Sequence, residues 1–179
     1  MQIIQTGFEG LVEIIPSVFP DSRGWFFESF KEDVLKQHGV PHHFPQENRS
    51  FSHKNVVRGL HFQRAPHAQG KLVSVIAGRV LDVVVDLRKS SATFGKVFVK
   101  ILDAKVNNML YVPEGFAHGF SALEESIFSY KCTAMYHKAS EGGIVWNDAD
   151  LKIDWMVSEP IVSEKDQQLP SFRSLVGNL

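Results

Sequence analysis

Short runs of Val, Ile, Leu and Phe alternate with turn residues along almost the whole chain. Breaks fall at Pro16, Pro20-Asp21, Gly39, Pro45, Pro66, Gly70, Gly78, Gly95, Asn107-Asn108, Pro113, Gly115 and Gly142-Gly143. Apolar runs of strand length between such breaks predict an all-β sandwich or barrel. The period of two is clearest over residues 79–88. There Leu81, Val83, Val85 and Leu87 share one face, while Asp82, Asp86 and Arg88 alternate on the other. Further strands are expected over residues 11–19, 25–30, 44–51, 56–62, 72–77, 97–102, 109–112, 117–123 and 127–133, about ten in all. Phe30, Val34 and Leu35 fall at helical spacing before Gly39, which predicts one short helix over 30–38. Ser163 followed by Glu164-Lys165-Asp166 reads as a second helix start. No linker, repeat or low-complexity stretch interrupts this pattern, so one jelly-roll domain with a helical edge is expected over residues 1–179.

Composition narrows the function. A net charge of -1 provides no global field to draw in nucleic acid or an anionic membrane surface, so any anion site must be local. The single cysteine, Cys132, has no partner for an internal disulfide and fits a reducing compartment. No apolar run approaches the ~20 residues of a membrane span. A cytoplasmic protein is the expectation.

Chemistry concentrates in VRGLHFQRAPHAQGK, residues 57–71. Alternation along the strand puts Gly59 and His61 on one face and Arg58 on the other. A lone strand histidine is more often a hydrogen-bonded core residue. Gln63, Gln69 and Lys71 following so closely shift the reading of His61 toward a general base, a role that suits a group titrating near pH ~6.5. His118 closes a Pro-x-Gly-x-x-His element, residues 113–118, of the kind that presents a metal ligand in metal-binding barrels. Such a site needs partners, yet His61-Phe62-Gln63 offers one imidazole and Gln69 stands where a carboxylate would help. No metal site is therefore expected. His42, His43 and His53 fall in loops and are expected to face water.

Tyr130 lies on an apolar strand run, where it is either a core tyrosine or a general acid, since a phenol of pKa ~10 stays protonated at neutral pH. Tyr136 competes for the acid role. A histidine base gains from a carboxylate that orients it, and Asp82, Asp86, Asp148, Asp150, Asp154 and Asp166 are all open candidates. Arg23, Arg58 and Lys71 supply cations for a local anion site. No Gly-rich phosphate loop or dinucleotide fingerprint supports an ATP or NAD reading.

Several motifs in order are similar to one family: DSRGWFFESF, QENRS, VRGLHFQ, QGKLVSVIAGRVLDVVVDLR, VPEGFAHGF, YKCTAMY, and WNDADLKIDW followed by SEKD. From about Leu11 to Pro170 the chain resembles dTDP-4-dehydrorhamnose 3,5-epimerases of the cupin superfamily. The resemblance implies a cupin-type jelly roll and a cofactor-independent epimerase acting on a dTDP-linked 4-keto-6-deoxyhexose. It implies His61 as base with Asp166 as its dyad partner, Tyr130 as acid, and Lys71 beside the enolate oxygen. Arg58 and His118 would line the same pocket. Arg23, Glu28, Gln46, Asn48, Glu141 and Lys165 would hold the nucleotide and diphosphate. Arg23 and Glu28 would reach a neighbouring subunit's site, which implies a homodimer. Cell-surface rhamnose synthesis is the implied setting. Ser74, Ala92, Ala149 and Met156 depart from the usual pattern. They leave open a mono-epimerase acting at C3 or C5 alone, beside a 3,4-ketoisomerase or a non-catalytic nucleotide-sugar-binding jelly roll.

Overall fold

The computed structural model describes residues 1–177, so residues 178 and 179 of the expected domain lie outside the described residues. One six-stranded sheet runs β1 (Gln2–Gln5), β2 (Val12–Ile15), β10 (Met109–Val112), β7 (Lys71–Ala77), β12 (Ser126–Cys132), β5 (Gln46–Ser52). The second runs β13 (Glu141–Gly143), β6 (Val56–Gln63), β11 (Phe116–Ala122), β8 (Arg79–Asp86), β9 (Val97–Asp103), with β14 (Ile161–Val162) joining β6 in parallel. Strands β3 (Phe19–Asp21) and β4 (Gly24–Phe26) form a separate hairpin. The short helices are α1 (Glu32–Gln37), α2 (Glu164–Gln167) and α3 (Phe172–Val176).

Three apolar layers hold these elements. Val73, Val75, Leu110 and Phe128 of the first sheet meet Val80, Val84, Leu102 and Phe120 of the second. This inner layer is the sandwich core. The outer face of the first sheet carries Val12, Ile14, Leu72 and Tyr111, covered by Leu35 of α1 and by Val40. The outer face of the second carries Val57, Leu60, Leu81, Val83 and Val85, covered by Ile144, Trp155 and Leu175 of the C-terminal segment. Both faces of β8 are therefore buried. The apolar face read from the sequence packs outward under the C-terminal segment, and the face bearing Asp82 and Asp86 turns inward.

The expected strands are present with adjusted ends. The run expected over 11–19 stops at Ile15, because Pro16 cannot continue a ladder, and Phe19 begins the separate hairpin instead. Likewise the strand expected over 25–30 is the short β4, whose Trp25 and Phe26 stay 62% and 65% exposed. Helix α1 falls inside its expected range, and Ser163 caps α2 by accepting from the Asp166 N–H at 3.2 Å. Strands β1, β13 and β14 and helix α3 had no clear signal: the strands are two to four residues long, too short to show a period.

Candidate active site

Period-two geometry decides which polar groups meet. On β7, Lys71 shares the inner face with Val73 and Val75, and on β12, Tyr130 and Cys132 share it with Phe128. Asp82 lies between Val80 and Val84 on β8, and His118 lies between Phe116 and Phe120 on β11. The inner layer is thus apolar over most of its area and polar where these strands converge.

Strand β6 breaks the simple alternation. Opposite His118 and Phe120 of β11 stand His61 and Arg58, so three steps on β6 match two on β11. This bulge turns Arg58 and His61 to the same side, where the sequence reading had them on opposite faces. Val57 and Leu60 both pack outward for the same reason. Gly59 makes the crossing possible. Its φ is +123°, and a Cβ there would lie 2.6 Å from the Gly119 Cα.

Two adjoining cavities share His61, Lys71 and Tyr130. Arg58, His118, Phe120, Phe128, Ser163, Lys165 and Asp166 complete one of them. Gln46, Asn48, Gln63, Gln69, Tyr136 and Glu141 complete the other. His61 Nε2 sits 2.8 Å from Asp166 Oδ1, and the Gly59 N–H donates to Asp166 Oδ2 at 3.1 Å. The His61 side chain is 29% exposed and Asp166 is buried. Burial works to raise the Asp166 pKa, but His61, the Gly59 N–H and Lys165 outweigh it and hold the carboxyl below its ordinary range. With Nε2 engaged, Nδ1 is left to take a proton from the cavity.

A second His-Asp pair sits nearby: His118 Nε2 lies 2.8 Å from Asp82 Oδ2, with both residues buried. Of the six carboxylates open in the sequence, Asp166 joins His61 and Asp82 joins His118. Asp86 binds Arg88, Ser91 and Thr93 on the far side, and Asp148 anchors α3 through the Phe172 N–H. Burial lowers the Lys71 pKa, with Cys132, Asp82 and Glu141 opposing the shift. Burial raises the Tyr130 phenol, with Arg58 and Asn48 among the groups opposing it, so the hydroxyl stays protonated at neutral pH. Tyr136, the rival acid, is exposed and donates to Glu141 Oε2 at 3.0 Å.

Arg58 is braced by Ser52 Oγ and the Phe51 carbonyl, each at 3.0 Å. Lys165 donates to both oxygens of Glu141 at 2.8 Å. Gln46 accepts the Tyr136 N–H and donates to Asn48. Arg23 and Glu28 do not line these cavities within the single chain: Arg23 is 87% exposed and pairs with Asp21, and Glu28 pairs with Lys31. Ser50, Gly119, Phe120 and Phe128 are cavity residues that the sequence reading did not single out, and Ser163 was read only as a helix start. They are ordinary strand and cap residues, so only the fold marks them. Among the described residues, no group of three or more His, Cys, Asp or Glu is placed to hold a metal ion. His42, His43 and His53 are exposed as expected, and His53 meets Glu125 at 3.1 Å.

Comparison with known proteins identifies the family. The family model described as dTDP-4-dehydrorhamnose 3,5-epimerase matches residues 5–174. An enzyme of that name from Methanothermobacter thermautotrophicus is 46% identical over 176 residues, covering 96% of this chain and 95% of its own. The crystal structure of the Elizabethkingia anophelis enzyme superposes with a TM-score of 0.93 at 48% identity, covering 97% of each chain. That of a Legionella pneumophila epimerase in complex with dTDP-4-keto-L-rhamnose gives 0.91 at 42% identity, covering 96% of this chain and 93% of its own. Among the described residues no helix is long and apolar enough to cross a membrane. With a family match spanning nearly its whole length and a cupin-type jelly roll to carry the site, the chain belongs to the dTDP-4-dehydrorhamnose 3,5-epimerase family and is an isomerase of that type.

Proposed function

We propose that this enzyme converts dTDP-4-dehydro-6-deoxy-D-glucose to dTDP-4-dehydro-L-rhamnose by inverting C3 and C5. The observation that carries the reading is that His61 and Tyr130 enter one cavity from facing sheets, with Lys71 beside them. Both carbons flank the C4 ketone, so loss of either proton gives an enolate. His61 Nδ1 takes the proton from one face of the ring. The Lys71 ammonium stabilises the oxygen as negative charge builds on it. Tyr130 returns a proton from the opposite face, which inverts the centre. One proton leaves each carbon and one arrives, so the balance needs no redox cofactor. Tyr130 serves better than Tyr136 as the acid, because Tyr136 lies at the rim and is engaged by Glu141.

Arg58 offers a braced guanidinium to the diphosphate. Gln46, Asn48, Tyr136, Glu141 and Lys165 form the nucleotide side of the cleft. Arg23 and Glu28, on and just after an outstanding hairpin with exposed Phe19, Trp25 and Phe26, serve the site of a second copy in a homodimer. Residues 1–179 act as one domain, and the work is done in the cytoplasm. Ser74 faces away from Lys71, Met156 is exposed, and neither they nor Ala92 or Ala149 line the two cavities. The family departures therefore give no reason to restrict the reaction to one carbon.

Proton NMR of the substrate with the enzyme in deuterated water tests the reading. Loss of both the C3 and C5 signals, with an L-rhamnose configuration after reductive trapping, is the expected result. Exchange at one carbon identifies a mono-epimerase, a ketone moved to C3 a ketoisomerase, and no exchange a binding protein.

A further inference from the structure

We infer that Asp82 is a positioning residue for this site: an ionised, buried carboxylate that fixes the His118 ring and keeps the Lys71 ammonium charged. Its purpose rests on the reaction proposed above, but its central test needs no substrate.

Asp82 is 0% exposed. Its Oδ2 meets His118 Nε2 at 2.8 Å, while Oδ1 is buried with no hydrogen-bond partner among the described residues. A buried carboxylate oxygen without a donor is costly unless a nearby cation compensates it. Beyond His118, which engages Oδ2, Lys71 is such a cation: it acts on Asp82 electrostatically from the facing sheet and itself makes no hydrogen bond or ion pair among the described residues.

The other carboxylates near Lys71 are already engaged. Glu141 takes Lys165 through both oxygens and also accepts from Tyr136. Asp166 is divided between His61 and the Gly59 N–H. Asp82 alone has an unengaged oxygen. The remaining groups around Lys71 are Cys132 and Tyr130 from β12, Arg58 and His61 from β6, and His118 from β11. None of these is a resident anion at neutral pH. A lysine in such a place loses its proton unless a fixed negative charge opposes burial, and a neutral amine stabilises an enolate far less. The dependence is mutual, because burial drives Asp82 toward its neutral form, and His118 first and Lys71 after it oppose that.

The imidazole is fixed by the same carboxylate. With Nε2–H donated to Asp82, His118 presents Nδ1 as an acceptor and cannot rotate without stranding the carboxylate. A merely structural Asp82 would need only a hydrogen-bonding side chain at this position, so Asn would replace it.

The test is carbon-13 NMR of the ligand-free enzyme labelled at aspartate Cγ, together with a titration of the labelled Lys71 side chain. Asp82 is expected to read as a carboxylate at pH 7; a protonated acid there overturns the inference. In Asp82→Asn, Lys71 is expected to titrate at least about one pH unit lower, a tenfold change in proton affinity. An unchanged Lys71 titration also overturns it. With substrate, the alkaline limb of kcat should move down by the same amount in Asp82→Asn, whereas a structural role would lower kcat at every pH alike. If Asp82→Asn does not fold, the wild-type Cγ measurement still decides the charge state. A protein that passes both titrations yet exchanges no substrate protons overturns the proposed reaction, not this inference.

Discussion

His61 Nε2 lies 2.8 Å from Asp166 Oδ1, although 105 positions separate the two residues. The carboxylate comes from α2 beneath the capping hydroxyl of Ser163, and it also ties down the Gly59 N–H at the β6 bulge. One side chain thus orients His61, the proposed base, and anchors the irregular strand that presents it. Asp166→Asn preserves an acceptor for Gly59 and removes the charge that stabilises an imidazolium. Its expected effect is a loss of substrate proton exchange of about 10²–10⁴-fold with little change in Tm. Exchange measured by NMR at the wild-type rate would show that His61 does not rely on the pair.

Tyr130→Phe removes the phenolic proton and leaves the ring packed beside Phe128. Deuterium should still enter C3 and C5 through His61, while formation of the inverted product falls about 10²–10⁴-fold. Comparing exchange with inversion in one NMR time course separates the two steps. Unimpaired inversion would transfer the acid role to Tyr136.

Gly59→Ala places a methyl group against the Gly119 Cα at 2.6 Å and the His118 carbonyl at 2.9 Å, on a backbone at φ +123°. Neither neighbour is a side chain that can swing away. The expected loss is roughly 2–4 kcal/mol of stability, read as a lower urea midpoint. A variant as stable as wild type would mean that β6 and β11 can separate without cost.

Acid stability should depend on Asp86. Its carboxylate accepts from Arg88, Ser91 and Thr93, and these partners overcome burial to hold its pKa at about 2, against 3.8 for a free group. A depressed folded-state value means the stabilisation is complete above pH ~3.8 and fades as pH falls toward ~2, a span worth roughly 2 kcal/mol. Urea melts at pH 5 and pH 2.5 should therefore differ less for Asp86→Asn than for wild type. An equal difference in both proteins would exclude this carboxylate as a source of acid sensitivity.

The sequence was legible where physics is local. Val, Ile and Phe at period two marked the strands, Gly39 and Ser163 marked helix ends, and the crowding around His61 marked the place of the cavities. Asp166 was unreadable from pattern, because six aspartates fit the partner role and only the path of the C-terminal segment selects one. The same limit hid the pairing of Asp82 with His118, which requires β8 and β11 to be neighbours in register. Arg58 was placed on the wrong face because a bulge shifts alternation without any change in residue type. The family resemblance implied the pairing of Asp166 with His61 that local chemistry left open, but not that of Asp82 with His118.

The bulge in β6 also gives the length of that strand a meaning separate from its letters. A regular strand of the same length would exchange the faces of everything before the bulge, because Arg58 and His61 are three positions apart. Arg58 would then point into the outer layer with Trp155 and Leu175, where an unpaired guanidinium is intolerable, and Val57 would take its place in the cavity. Point substitutions can drift here one side chain at a time. A deletion at the bulge would keep Arg58 on the side of His61 but remove either the Gly59 N–H that holds Asp166 or the buried Leu60, so lineages that keep this chemistry should vary in spelling across β6 while holding its residue count fixed.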